Sequence, residues 1–149
     1  MRLLRRFLEQ VGSMMDPEAL KIDSKRFTLS PELGRRRFSR ENLVYAGTYL
    51  GRNRRLFEPS SLLLQMLAAE EGTRKVHLDR DAAWLFVCGR DIFEENVKRV
   101  EGVLELGRYY LVMFDGRCVG YGRYETSAGI RVIRNLFDLG DFLRREGSG

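Results

Sequence analysis

The segment Tyr109–Tyr124, YYLVMFDGRCVGYGRY, constrains the fold more than any other part of the chain. Its apolar, aromatic-rich opening YYLVMF reads as a strand over Tyr109–Phe114. Asp115-Gly116 follows, and Asp-Gly is a preferred pair for a two-residue hairpin turn, where both positions need a positive φ. The returning strand is Arg117–Tyr124, with Gly120 and Gly122 where side chains would ordinarily pack. A further strand is expected near Ile130–Arg134.

Upstream of this hairpin, Arg74–Leu78 (RKVHL) reads as a short strand. Asp79 or Asp81 can cap the short helix DAAWLF, which runs up to Gly89. Downstream, Asp138–Glu146 (DLGDFLRRE) reads as a terminal helix packing Phe142 and Leu143 inward, and the last three residues, GSG, are expected to fray.

The first half has a different pattern. Leu3, Leu4, Phe7, Leu8, Val11, Met14 and Met15 recur at helical spacing, opposite Arg2, Arg5, Arg6, Glu9 and Gln10. This predicts an amphipathic helix of about 13 residues that serves a protein core rather than a membrane surface. Lys25–Leu29 (KRFTL) and Asn42–Leu50 (NLVYAGTYL) read as strands, with Gly47 marking a bulge in the second. An arginine-rich loop, GRNRR, is expected next, then a buried helix through LLLQMLAAE that starts after Pro59 and Ser60 or Ser61 and ends near Gly72. The predicted fold is therefore α+β, with a small α/β N-terminal domain over 1–72 and a small β-barrel over 73–149. At 149 residues, the chain suits one ordinary domain or two small ones.

Charge points to a polyanionic partner. Of the 26 basic residues, 22 are arginine and four are lysine. Arginine presents a planar fork that grips phosphate bidentately and stacks on bases. Residues 1–74 hold 14 basic and 9 acidic side chains, whereas residues 75–149 hold 12 of each. Arg35, Arg36, Arg37, Arg40, Arg52, Arg54 and Arg55 are opposed between positions 34 and 55 by Glu41 alone. Genome composition or thermophily can raise arginine usage, but neither explains its concentration in one stretch. Nucleic-acid contact is the expectation.

No catalytic pattern accompanies this charge. His77, the single histidine, lies mid-strand, and Cys88 and Cys118 are too few and too far apart for a first-choice zinc shell. The glycine pairs GTYLG and GYG match neither a GxxxxGK[ST] nor a GxGxxG phosphate loop, and no GxSxG elbow occurs. Asp79, Asp81, Asp138 and Asp141 fall where helix caps and first-turn acids belong. A binding protein with no enzyme activity and no cofactor or metal is expected. No stretch approaches the ~20 apolar residues of a membrane span. Glu9 and Gln10 interrupt the N-terminal apolar pattern, so a secretory leader is not expected. The two cysteines read as half-buried thiols of a reduced, cytoplasmic monomer.

The order of features in RKVHLDRDAAWLFVCGRDIFEENV and GRYYLVMFDGRCVGYGR resembles a PUA domain, the RNA-binding barrel named for pseudouridine synthases and archaeosine transglycosylases. The ending DLGDFLRRE is similar to that of PUA-domain ribosome-assembly factors of the Nip-seven type, and Leu43–Ser60 (LVYAGTYLGRNRRLFEPS) resembles the end of that family's first domain. AGTYLGR and FEPS also resemble the PUA-like RNA-binding tail of ribosomal RNA cytosine methyltransferases. Asn96 stands where many PUA domains have glycine, and Thr126 where the assembly factors commonly carry lysine.

The resemblance implies a site formed by the Gly89 loop, the Gly120/Gly122 strand end, and Arg117, Arg123, Arg131 and Arg134, which face only Glu125 between positions 116 and 137. The glycines could admit a sugar–phosphate backbone or simply allow a tightly twisted strand. Charge adds Arg52, Arg54 and Arg55, and Arg35, Arg36 and Arg37, as a second contact. The expected function is binding of ribosomal or pre-ribosomal RNA during ribosome biogenesis, beside other assembly proteins. The alternative is a protein-interaction or RNA-delivery module for an RNA-modifying enzyme such as a ribosomal RNA methyltransferase.

Overall fold

The computed structural model describes residues 2–17, 20–23, 26–29 and 49–140. Among these, helix α1 spans Arg2–Val11 and buries Leu4, Phe7, Leu8 and Val11, the i, i+3, i+4, i+7 stripe that a 3.6-residue period produces. The helix is shorter than the sequence pattern suggests. The chain turns at Gly12, where the Ser13 amide donates to the Leu8 carbonyl, and the apolar face ends there. Met15 still reaches the core, but Met14 is 80% exposed, which corrects its place in the expected face.

Strands β1 (Leu20–Asp23), β2 (Arg26–Leu29), β3 (Tyr49–Asn53) and β4 (Phe57–Pro59) form a four-stranded antiparallel sheet in chain order. The expected arginine-rich loop is a hairpin instead. Gly51, Arg52 and Asn53 lie in β3, and Arg52 stands opposite Glu58 of β4. Leu50 and Phe57 supply the reason, since both are buried and hold the two strands against the core. Residues 42–48 of the expected strand and residues 141–149 of the terminal segment lie outside the described residues.

Helix α2 (Ser61–Ala69) starts where the Ser60 hydroxyl accepts from the Leu63 amide, an N-cap that satisfies one otherwise unpaired donor. Strand β5 (Lys75–Leu78) follows, then helix α3 (Arg80–Val87), capped by Asp79 through the Ala82 amide at 2.9 Å. Strands β6 (Ile92–Phe93), β7 (Val97–Glu101), β8 (Tyr109–Phe114), β9 (Arg117–Ser127) and β10 (Ile130–Asp138) complete a six-stranded sheet in the order β6-β10-β9-β8-β5-β7. Only the β5–β8 pairing is parallel among the described strands. Asp115 and Gly116 both adopt positive φ (50° and 77°), as a two-residue turn between Phe114 and Arg117 requires. Ala128 and Gly129 do the same between β9 and β10.

The unbroken apolar run of β8 follows from burial on both faces. Tyr109, Leu111 and Met113 join the cluster beneath α1 and α2, while Tyr110 and Val112 join the cluster beneath α3. Each such side chain contributes roughly 1.5–3 kcal/mol on burial. The first cluster draws on both halves of the chain, and the Phe7 and Tyr121 rings stand 4.6 Å apart. Lys75 is also buried, at 3% exposure. Its ammonium donates to the Glu70 carbonyl at 2.9 Å and the Thr73 carbonyl at 3.3 Å. Those acceptors at the C-terminal end of α2 are what make a buried cation tolerable.

Candidate nucleic-acid interface

The four arginines expected to form one basic edge separate into different surroundings. Arg123 lies directly opposite Arg134 across β9 and β10. Glu125 lies between them: Arg123 Nε donates to its Oε2 at 2.7 Å and Arg134 Nη1 to its Oε1 at 3.2 Å. Arg131 Nη1 donates to the Thr126 hydroxyl at 2.8 Å, and Arg131 borders a small groove with Phe93, Glu94 and Glu95. Arg117 stands at the other end of β9, beside the Asp115-Gly116 turn.

Gly89 is the C′ residue of α3, at a φ of 90°. The Gly89 amide donates to the Phe86 carbonyl and the Arg90 amide to the Leu85 carbonyl, the paired bonds that close a Schellman motif. A side chain added at Gly89 would meet open space. Asp91 Oδ1 accepts from the Asn135 amide, and Asn135 Nδ2 donates to the Phe86 carbonyl at 2.7 Å, so this exposed loop is pinned beside Arg134. Gly120 and Gly122 are different. Both are buried; a Cβ at Gly120 would press into the Phe137 carbonyl, and one at Gly122 would lie 2.5 Å from the Arg134 carbonyl. The partner these two glycines admit is the backbone of β10. Asn96, in the short 3-10 turn Glu94–Asn96, keeps an ordinary negative φ.

In the first half, Arg52 Nε donates to Glu58 Oε2 at 3.0 Å, and Arg54 Nε lies 3.9 Å from the same oxygen. Arg55 is exposed at the turn of the hairpin. The carbonyl of Phe57, at the base of that turn, accepts from the Tyr121 hydroxyl at 2.6 Å. Tyr121 and Arg123 are two residues apart on β9 and so share a face, which puts the hairpin and the Arg123–Arg134 pair on one side of the sheet. Arg35, Arg36 and Arg37 lie outside the described residues.

One feature had no place in the sequence expectations. An open groove of about 820 Å³ runs between α3 and the β8–β9 turn, lined by Trp84, Leu85, Phe114 and Val119, with Arg80 and Arg117 among the bordering residues. Trp84 is 58% exposed. Neither guanidinium has an ion pair or side-chain hydrogen bond among the described residues. Asp81 and Asp115 also border the groove. A lone tryptophan on an eight-residue helix carries no periodic signal, so its exposure was not readable from spacing.

Other titratable groups are committed to structure. His77 Nε2 lies 2.6 Å from Glu101 Oε2, and this hydrogen bond, more than the nearby Lys75 and Arg99 charges, holds the Glu101 carboxyl below its ordinary value. The cysteines are not both half-buried: Cys88 is exposed at the C-cap of α3, and Cys118 is buried in β9, where burial pushes its thiol up to about 12. Burial likewise raises Tyr110 and Tyr121, which act as hydrogen-bonded struts rather than acids. Among the described residues no group of three or more His, Cys, Asp or Glu side chains is placed to hold a metal ion, and no helix is long and apolar enough to cross a membrane.

Residues 74–147 match the family model described as the UPF0113 PUA domain. The fold is similar to that of a hypothetical protein from the hyperthermophilic archaeon Pyrococcus horikoshii, at 14% identity and a TM-score of 0.51 over 95% of this chain and 92% of that one. A conserved PUA domain protein from Thermoplasma acidophilum aligns at 16% identity and a TM-score of 0.49, over 97% of this chain and 93% of that one. No curated protein matches the chain at a significant level.

Proposed function

Because residues 74–147 match the UPF0113 PUA-domain model, we propose that this chain binds RNA, and that its RNA is ribosomal or pre-ribosomal and is bound during ribosome assembly. The PUA match over residues 74–147 carries the reading, since PUA domains are generally RNA-binding modules. The resemblance of Leu43–Ser60 and Asp138–Glu146 to assembly factors of the Nip-seven type supports the ribosomal part. So does the supply of guanidinium groups from the Arg52–Arg55 hairpin and the Arg123–Arg134 pair on one side of the sheet, which suits the phosphate backbone of a folded RNA.

In this reading the protein acts by binding rather than catalysis, as a cytoplasmic monomer beside other assembly proteins. The 1–72 half contributes Arg52, Arg54 and Arg55, with Arg35, Arg36 and Arg37, and the 73–149 half contributes the Gly89 loop with Arg123, Arg131 and Arg134. Gly120 and Gly122 serve this surface by holding β10 close, so that Arg134 stands opposite Arg123.

Fluorescence anisotropy with labelled ribosomal RNA fragments tests the reading. The logarithm of the affinity should fall linearly with the logarithm of salt concentration, with a slope of about −0.7 to −0.9 per phosphate contacted. An affinity unchanged by salt refutes it. Crosslinking to total RNA followed by sequencing tests the ribosomal part: reads concentrated on ribosomal precursors support it, and reads concentrated on other RNAs overturn it while leaving RNA binding in place.

A further inference from the structure

We propose that the groove between α3 and the β8–β9 turn is a nucleotide subsite, in which one unpaired RNA base stacks on Trp84 while the adjoining phosphates rest on Arg117 and Arg80. The proposal rests on the RNA-binding reading above and adds to it the place and form of one contact.

Trp84 projects from the middle of α3 with more than half of its surface open to solvent. Leu85 beside it is 47% exposed, so the helix leaves two large apolar side chains uncovered next to each other. Neither belongs to the buried clusters that hold α3 to the sheet; Ala82, Ala83, Phe86 and Val87 do that work on the opposite stripe. The exposed pair is therefore dispensable for docking the helix, and it forms one wall of the groove, with Phe114 and Val119 on the facing hairpin. A volume of about 820 Å³ is ample for a nucleotide, within the range of small-molecule sites.

Charge selects among occupants. An apolar groove alone would suit many partners, but this one carries two guanidinium groups with no partner among the described residues. A flat aromatic face beside unneutralised arginines is the arrangement by which single-stranded nucleic acid is held, stacking on the ring and pairing phosphate with charge. The carboxylates of Asp81 and Asp115 also face the groove and would repel a phosphate placed on them. They are acceptors for the exocyclic amino groups of adenine, cytosine or guanine, so they orient the base inward and the backbone toward the arginines. A base within a duplex hides its faces in the stack, so the occupant must be a loop, bulge or end.

Trp84 is the only tryptophan in the chain, and its intrinsic fluorescence therefore reports on this groove alone. The test titrates the full chain with a short adenine-rich single-stranded oligoribonucleotide, following tryptophan emission and the anisotropy of a label on the RNA together. Saturable quenching that tracks the anisotropy is expected, with much weaker quenching by a duplex of the same length. Trp84→Ala should weaken single-strand binding by about 5- to 150-fold, the equivalent of one lost base stack, while Trp84→Phe retains most of the affinity. Both variants should keep the unfolding midpoint of the parent, because the ring lies outside the cores. RNA binding with no change in Trp84 emission and no loss in Trp84→Ala overturns the subsite and leaves the RNA-binding reading standing; a protein-docking groove would give this result. Absence of binding to any RNA overturns both.

Discussion

The arginines along β9 and its neighbour β10 fall into two sets that behave differently. Where the middle of β9 meets β10, Arg123 and Arg134 share the two oxygens of Glu125, and Arg131 is spent on the Thr126 hydroxyl. At the Asp115-Gly116 end, Arg117 has no partner among the described residues and faces an exposed indole across a groove. The first set is a braced surface whose cations are aligned by an acid, so a phosphate arriving there must compete with Glu125. The second set is unbraced among the described residues: Asp81 and Asp115 border the same groove, but neither is paired with Arg117. Counting arginines in the sequence weighs the two equally, whereas their partners make the second more available per residue.

The largest expected effect separates the glycines of the two regions. Gly120→Ala forces a Cβ into the Phe137 carbonyl at a φ of 155°, and should cost roughly 3–5 kcal/mol, measured by chemical denaturation. Gly89→Ala meets open space and should cost only about 1 kcal/mol, the penalty of a left-handed C′ residue with a side chain. Equal losses at both positions would remove the distinction between a packing glycine and a loop glycine.

Next comes a pair of charge swaps. Arg80→Glu with Arg117→Glu should reduce the magnitude of the salt slope for single-stranded RNA by about 1.4, as for two lost phosphate contacts. Arg123→Glu with Arg134→Glu should change it by less, because Glu125 already offsets part of that charge. A larger change from the second pair would reverse the ranking of the two surfaces. The smallest effect sharpens the same contrast from the other side: Glu125→Gln frees both guanidiniums and should steepen the slope for structured RNA by no more than about 0.9 per arginine released. No steepening would mean that the acid does not limit the braced surface.

Much of the frame was legible because a few local signals admit only one structure. Asp115-Gly116 had to be a tight turn and the apolar run of β8 had to be a strand, while the two helix caps were narrowed to Ser60 or Ser61 and Asp79 or Asp81, of which the structure uses Ser60 and Asp79. What was not legible depended on distant partners. GRNRR reads as a loop by composition, and becomes a hairpin because Leu50 and Phe57 dock on a core built from other segments. Strand β7, Val97–Glu101, is too charged to show an apolar pattern and is held by pairing with β5. The separate surroundings of the four arginines were not legible for a similar reason. That Arg123 meets Arg134 is set by the two-residue Ala128-Gly129 turn, and that Glu125 pairs with both is set by side-chain geometry that spacing does not encode.

Strand β9 has one more consequence. It packs against β8 and β10 along its length and carries a buried cluster on each side, so it cannot bend independently of the molecule. Arg117 at one end and Thr126, with Arg131 bound to it, at the other are nine residues apart along the strand, up to roughly 30 Å at 3.3 Å per residue. In the proposed RNA-binding reading, two contact points on a stiff bar would act as a caliper. An RNA that offers a loose base and a phosphate ridge at that separation fits both jaws at once; one with the same nucleotides at another separation engages a single jaw. Selectivity of this kind comes from measured span, with no base pair being read.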